Sequence, residues 1–272
     1  MIDFSDDGPP VVRFCTDNQA KGPQRFEVPG GSVEAEQAGM DEALSLGTGA
    51  VLWQSSTALA QALARGTGRF SPERMAGDRA LELGCGCAAL PAVVAAVLGA
   101  QVVATDLQVL VPSLQANLQR YAQTAIGEGV STAIAHNLSV QSLDWTSEAQ
   151  LAELAASEGY GLVLCADCID ESEALLGALV DVICASLAPS GVALIASGAR
   201  SQRLLAIFLA GLQRHLCVEA LSDALVPLSS AEAALAAQRD ETRFFAATWV
   251  SHEAAARGRA AHILEIDSGV TR

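Results

Sequence analysis

From Ala80 to Ser197 short apolar runs alternate with longer amphipathic stretches, and this alternation constrains the fold more than any other feature of the chain. Ala80 to Leu83, Gln101 to Thr105, Val140 to Leu143, Gly161 to Ala166 and Val192 to Ser197 read as strands. Between and after them, helices are expected at Ala88–Leu98, Leu110–Tyr121, Ser172–Leu187 and Ser201–His215, with a short one after Ser147, where Gln150 offers a capping box. The turn APSG, Ala188 to Gly191, stops one helix and launches the next strand, because proline cannot continue a helix. Cys217–Leu221 and Arg243–Val250 lack a clear crossover helix between them, which predicts an antiparallel pair at the sheet edge. The expected architecture is a doubly wound α/β sheet of seven strands, mostly parallel, with an antiparallel C-terminal pair.

Three segments follow from this reading. Residues 1–46 form an N-terminal extension in which Val11–Phe14 and Arg25–Val28 are expected to pair as a hairpin. Residues 47–250 form one catalytic-sized domain, and 251–272 a tail. The stretch GTGAVLWQSSTALAQALAR, Gly47 to Arg65, reads as a glycine-punctuated entry into a helix with Ser55 or Ser56 as its N-cap. Cys87 to Ala104 is long and nearly uncharged, but Pro91, Gly99 and Gln101 interrupt it, so a buried helix running into a buried strand is expected and no membrane span. The segment MIDFSDDGPP lacks the basic and apolar parts of a leader, which points to an intracellular, cytoplasmic protein.

Charge narrows the partners. Thirty-one acidic residues face sixteen basic ones, of which Lys21 is the only lysine, for a formal net charge of −15. Such a field repels phosphate backbones, excludes general nucleic-acid binding and draws in cationic segments. Seven cysteines scattered without a secretory signal do not make a disulfide framework. Cys85 and Cys87, with Cys165 and Cys168 on a neighbouring strand, have the spacing for zinc or a redox pair; a metal there would compete with any cofactor, and none is expected.

In an open parallel sheet, ligands sit beyond the carboxyl ends of the strands, near the point where strand order reverses. Those ends carry Glu82 to Cys87, Asp106, Asp144 with Trp145, and Ala166 to Asp170. Gly84, Gly86 and Ala89 satisfy G-x-G-x-x-G/A in its weaker form, and Asp106 stands where a ribose-binding acid is needed. These residues suit a dinucleotide as well as any other adenosine-bearing cofactor. Trp145 reads either as a wall for a base or as an ordinary core aromatic, and Trp53 by itself as a core aromatic.

The stretch ALELGCGCAALPAVVAAVLGAQVVATDL resembles the first motif and the acidic loop of class I, seven-β-strand S-adenosylmethionine-dependent methyltransferases. With GAVLWQSSTALAQAL before it and VQSLDW and YGLVLCADCID after it, the chain is similar to the protein-lysine methyltransferases that modify Hsp70, valosin-containing protein, calmodulin and elongation factors. The resemblance implies a Rossmann-like fold, S-adenosyl-L-methionine as cofactor, and methyl transfer to a protein side chain, a lysine amine before others. It places Trp53, Glu82, Gly84, Cys85, Gly86, Asp106, Trp145 and Ala166 at the cofactor, and Asp167 and Asp170 at the acceptor. In the family's D-x-x-Y the aromatic helps shape the lysine channel; here it is Asp170, and the third glycine of the first motif is Ala88. The change at Asp170 leaves open a small-molecule methyltransferase or a cofactor-binding but inactive interaction protein. From the residues alone, Asp167 and Asp170 orient the amine or take its proton, or else Asp167 caps the following helix and Asp170 is solvated.

Overall fold

The structure is a computed structural model that describes residues 2–3, 11–12, 24–35, 47–65, 68–169, 173–198, 202–222, 225, 242–251 and 254–255. Its strands are β1 (Ile2–Asp3), β2 (Val11–Val12), β3 (Gln24–Val28), β4 (Gly31–Ala35), β5 (Arg79–Leu83), β6 (Gln101–Asp106), β7 (Leu138–Ser142), β8 (Tyr160–Ala166), β9 (Leu187–Ser197), β10 (Leu216–Leu221) and β11 (Arg243–Trp249). Its helices are α1 (Gln54–Ala64), α2 (Pro72–Met75), α3 (Leu90–Val97), α4 (Val111–Thr124), α5 (Val130–Asn137), α6 (Glu148–Ala156), α7 (Glu173–Ser186) and α8 (Gln202–Gln213).

Seven strands form the central sheet in the order β10-β11-β9-β8-β5-β6-β7. β5 to β9 are parallel, and β11 runs antiparallel between β9 and β10, as the C-terminal pair predicted. The chain leaves β5 toward β6 and β7 on one side and returns to β8 on the other. The strand ends therefore part at β5, and a crevice opens there.

Side-chain alternation divides the interior into two cores. Leu162, Leu164 and Ala166 of β8 and Val192, Leu194 and Ala196 of β9 face a core that includes Leu59 and Leu63 of α1, Val93 of α3 and Leu114 of α4. Val163, Cys165, Ala193 and Ile195 face the other core, with Leu179 and Ile183 of α7 and Phe208 of α8. A strand covered on both faces has no polar side to show, which is why its sequence reads as an unbroken apolar run. The apolar stretch Cys87 to Ala104 is split into α3 and β6, and among the described residues no helix is long and apolar enough to cross a membrane.

Two local expectations are corrected. Arg25–Val28 pairs with Gly31–Glu34, while Val11–Val12 lies beside Ile2–Asp3, and Arg13 and Phe14 lie outside the described residues. The cause is the turn Val28-Pro29-Gly30-Gly31: proline presets its own φ, and Gly30 takes φ +77°, where a Cβ is disfavoured. Between Tyr121 and Val140, where no helix was expected, the chain forms α5, whose buried residues are only Val130 and Ile134, too few to give a periodic signal. The β3–β4 hairpin docks on the loop after α4: the Ser32 and Ile126 amides each donate to the other residue's carbonyl at 2.8 Å. Val28, Val33 and Ala35 thereby join the α1/α3/α4 core.

A methyl group at Gly31 would collide with the Ile126 carbonyl oxygen. Gly31→Ala is therefore expected to destabilise the protein by about 1–3 kcal/mol, read as a lower urea midpoint with an unchanged m value.

Candidate functional site

The loop after β5 turns on two left-handed glycines, Gly84 (φ +58°) and Gly86 (φ +63°). Their lack of a side chain is required. A methyl at Gly84 would lie 2.8 Å from Cys168 Sγ and 3.0 Å from Trp145 Cζ2, and one at Gly86 would lie 2.9 Å from the Gly49 carbonyl oxygen. Amides along the loop are tied to its surroundings: Cys85 N–H donates to the Thr105 carbonyl at 3.0 Å, Gly86 N–H to Asp106 Oδ2 at 2.7 Å and Cys87 N–H to the Gly49 carbonyl at 2.8 Å. Ala89 closes the loop in the left-handed region (φ 45°), so α3 starts at Leu90 rather than Ala88.

A cleft of about 340 Å³ opens over this loop. Gly84, Cys85 and Gly86 form its floor, Asp106 lies at the end of β6, and Trp53, Trp145, Ala166 and Asp167 complete the walls. Trp53 is half-buried, its Nε1–H donating to the Thr48 carbonyl at 3.0 Å. Asp106 accepts from Gly86 N–H through Oδ2 and from Leu107 N–H through Oδ1, both at 2.7 Å. Burial pushes its carboxyl up, and the two amides work against that rise. Each oxygen keeps lone-pair capacity for a ribose hydroxyl.

Asp167 lines the cleft and is fixed there by residues far away in the chain. It sits at φ +56°, accepts from Gly198 N–H through Oδ1 at 2.9 Å, and accepts from Ser55 N–H through Oδ2 at 3.3 Å. The helix it caps is thus α1, far away in sequence, whose N-cap is Trp53 rather than Ser55 or Ser56. Glu82 is buried beneath the cleft and does not line it. Its Oε2 accepts from Ala92 N–H at 2.8 Å, so its carboxyl meets the first turn of α3 and its reach to a cofactor is indirect. Burial pushes Glu82 up to about 8. Asp170 lies outside the described residues.

Sequence reasoning missed the turn Gly47–Ala50, which approaches the glycine loop through Gly49, and the apolar wall of Leu107, Leu110 and Leu143. Only the two glycines of GTGA hinted at the first. The four cysteines are buried: Cys87 Sγ donates to the Ala50 carbonyl and Cys168 Sγ to the Leu83 carbonyl, each at 3.3 Å. Burial pushes the Cys85 thiol up, and a hydrogen bond with Cys165 followed by burial does the same for Cys168. Among the described residues no three His, Cys, Asp or Glu side chains are grouped to hold a metal.

The cleft fits an adenosine-bearing sulfonium. A floor without side chains admits the methionine part, Asp106 offers acceptors to a ribose diol, and Trp145 with the apolar wall offers a surface for a base. Among the described residues its lining carries three aspartates, Asp106, Asp144 and Asp167, and no lysine, arginine or histidine, which suits a cofactor of net positive charge. The fold is shared with solved methyltransferases. The T. thermophilus 16S rRNA N2 G1207 methyltransferase RsmC, in complex with AdoMet and guanosine, aligns with a TM-score of 0.51 at 19% identity over 84% of this chain and 50% of that one. A TehB-like SAM-dependent methyltransferase from Corynebacterium glutamicum aligns at 0.47 and 18% identity, over 71% and 87% of the two chains. An arsenic(III) S-adenosylmethionine methyltransferase from Chlamydomonas reinhardtii aligns at 0.42 and 18%, over 71% and 72%. No curated protein sequence matches the chain. Fold and cleft define a class I methyltransferase with S-adenosyl-L-methionine as its cofactor. The lysine methyltransferase sequence profile matches residues 34–215, and the chain belongs to that family.

Two outcomes are expected. Between pH 4.5 and about 8 folded Glu82 holds a proton that the unfolded chain has released, so its contribution to stability falls as pH rises through that window. Glu82→Gln, which does not titrate, should gain on the wild type by at most about 1.4 kcal/mol per pH unit there, measured by urea unfolding at a series of pH values. Gly86→Ala should weaken S-adenosylmethionine binding about tenfold or more by calorimetry, since its methyl meets backbone that cannot yield.

Proposed function

We propose that this protein transfers the methyl group of S-adenosylmethionine to a lysine amine of a protein substrate. The observation that carries the reading is the charge of the cleft: three carboxylates and no cation among its described lining residues, on a chain of net charge −15. A phosphate backbone would meet only repulsion there, whereas an ammonium group is drawn in. Membership of the lysine methyltransferase family supports the same acceptor.

The bound cofactor supplies an electrophilic methyl group on a sulfonium, and the protein aligns a nucleophile with it. A lysine amine, with an ordinary pKa of about 10.4, has to shed a proton before it can attack. Asp167 is held by two backbone amides, one on each oxygen, so its carboxylate is fixed in direction and can orient the incoming amine with its remaining lone pairs. Asp144 stands exposed at the rim of the cleft, and the hydroxyl and amide of Thr146 hold its carboxyl below the usual range. It keeps a negative charge where a basic segment would approach. Asp170, in place of the family's aromatic, motivates a second reading in which the acceptor is a small molecule.

Tritiated methyl donor in a cell lysate separates the two. Label in a protein band that yields methyl-lysine on hydrolysis is the expected result; label confined to the low-molecular-weight fraction would sink the lysine reading. Asp144→Asn is expected to raise KM for a basic lysine peptide about two- to threefold at low salt, with kcat unchanged and the difference lost at high salt.

A further inference from the structure

The glycine loop is held by its carbonyls as well as its amides. Helix α4 passes beneath it and sends up two polar side chains one turn apart, on the same face. Asn117 Nδ2 donates to the Cys87 carbonyl at 2.7 Å, and the Tyr121 hydroxyl donates to the Ala88 carbonyl at 2.6 Å. Both residues are buried, Tyr121 completely. We infer that Asn117 and Tyr121 are positioning residues for cofactor binding, setting the conformation of the loop that forms the cofactor's floor without touching the cofactor.

Neither residue lines the cleft. The carbonyl of Ala88 and the amide of Ala89 belong to one peptide unit, and that unit is gripped at both ends: Tyr121 holds the carbonyl, and the amide donates to the Cys85 carbonyl at 3.1 Å. The residue that follows this peptide is Ala89, at φ 45° and ψ 42°, a left-handed conformation that a Cβ disfavours. Rotating the peptide would relieve Ala89 but would break both hydrogen bonds and leave a buried carbonyl without a donor. Tyr121 thereby holds a disfavoured loop in place. The peptide before it is held at its carbonyl, by Asn117 on Cys87. Burial pushes the Tyr121 phenol well up, which favours the protonated hydroxyl that donates to Ala88.

The inference rests on S-adenosylmethionine binding over Gly84–Gly86, and its test has one arm that does not require the cofactor. Tyr121→Phe keeps the ring and removes only the hydroxyl. The control is Ser186→Ala, which removes a buried hydroxyl bonded to the Ile183 carbonyl at 3.2 Å in α7. Below the melting range of all variants, calorimetry should show Tyr121→Phe weakening S-adenosylmethionine and S-adenosylhomocysteine about tenfold, and Ser186→Ala leaving both within about twofold. Hydrogen exchange of the cofactor-free protein should show faster exchange at the Ala89 amide in Tyr121→Phe alone. Ala89→Gly, which tolerates the left-handed conformation without a clamp, should restore most of the lost affinity in the Tyr121→Phe background. Wild-type affinity and wild-type loop exchange in Tyr121→Phe would overturn the inference, as would equal weakening by Ser186→Ala. Should Tyr121→Phe not fold, Asn117→Ala read at the Cys87 and Ala89 amides decides the matter in the same way. A wild type that fails to bind S-adenosylmethionine would count against the cofactor, and the exchange comparison would still uphold or overturn the clamp.

Discussion

The hydrogen bond from the Gly86 amide to the Asp106 carboxylate, 2.7 Å long and buried, is the contact on which the rest of the site depends. It joins the ends of β5 and β6 at the place where the sheet divides. An amide aimed at a carboxylate in a low-dielectric interior is stronger than a neutral pair, so it can hold a turn that two left-handed glycines would otherwise leave loose. Thr105 reinforces it, its hydroxyl donating to the Glu82 carbonyl at 2.7 Å while its own carbonyl accepts from Cys85. The cleft floor, the ribose acceptors and the start of α3 all take their positions from this junction.

The strand and helix pattern from Ala80 onward was legible because a sheet buried on both faces writes itself as apolar runs, although Ala188–Gly191, expected as a turn, lies inside β9. Gly84, Gly86 and Asp106 were legible because turn geometry demands particular residue types at fixed spacing. What was not legible depends on contacts between residues far apart in the chain. No local pattern shows that Asp167 would cap α1 through Ser55, or that Gly49 would meet Cys87, since each pair is brought together only by the completed sheet. Glu82 carries the same lesson. Its place beside the glycines suggested cofactor contact, whereas its carboxyl is aimed backwards at Ala92. Asn117 and Tyr121 were silent for another reason, because inside an amphipathic helix a buried polar side chain looks like a break in the apolar face.

The acidic composition is put to different uses at different depths. At the surface, Asp144 keeps its charge because Thr146 solvates it. Deeper, Asp106 and Asp167 are each spread over a pair of backbone amides, which offsets the cost of placing a carboxyl in an apolar wall. At the bottom, Glu82 is favoured in its neutral form. Proximity to solvent and to amides, more than residue type, decides what each carboxyl contributes.

The hairpin of β3 and β4 and the strand β11 lie at or beyond the margins of the family match. The stretch that matches the family profile begins at residue 34, one residue before β4 ends, and stops at 215, before the strand wedged between β9 and β10. Val28 and Val33 lie before that boundary and Phe244 and Ala246 after it, yet all four are buried in the same core as the glycine loop. The part that the family profile matches is thus smaller than the part that packs as one body, and a chain cut to residues 34–215 would lose side chains of the shared core at both ends.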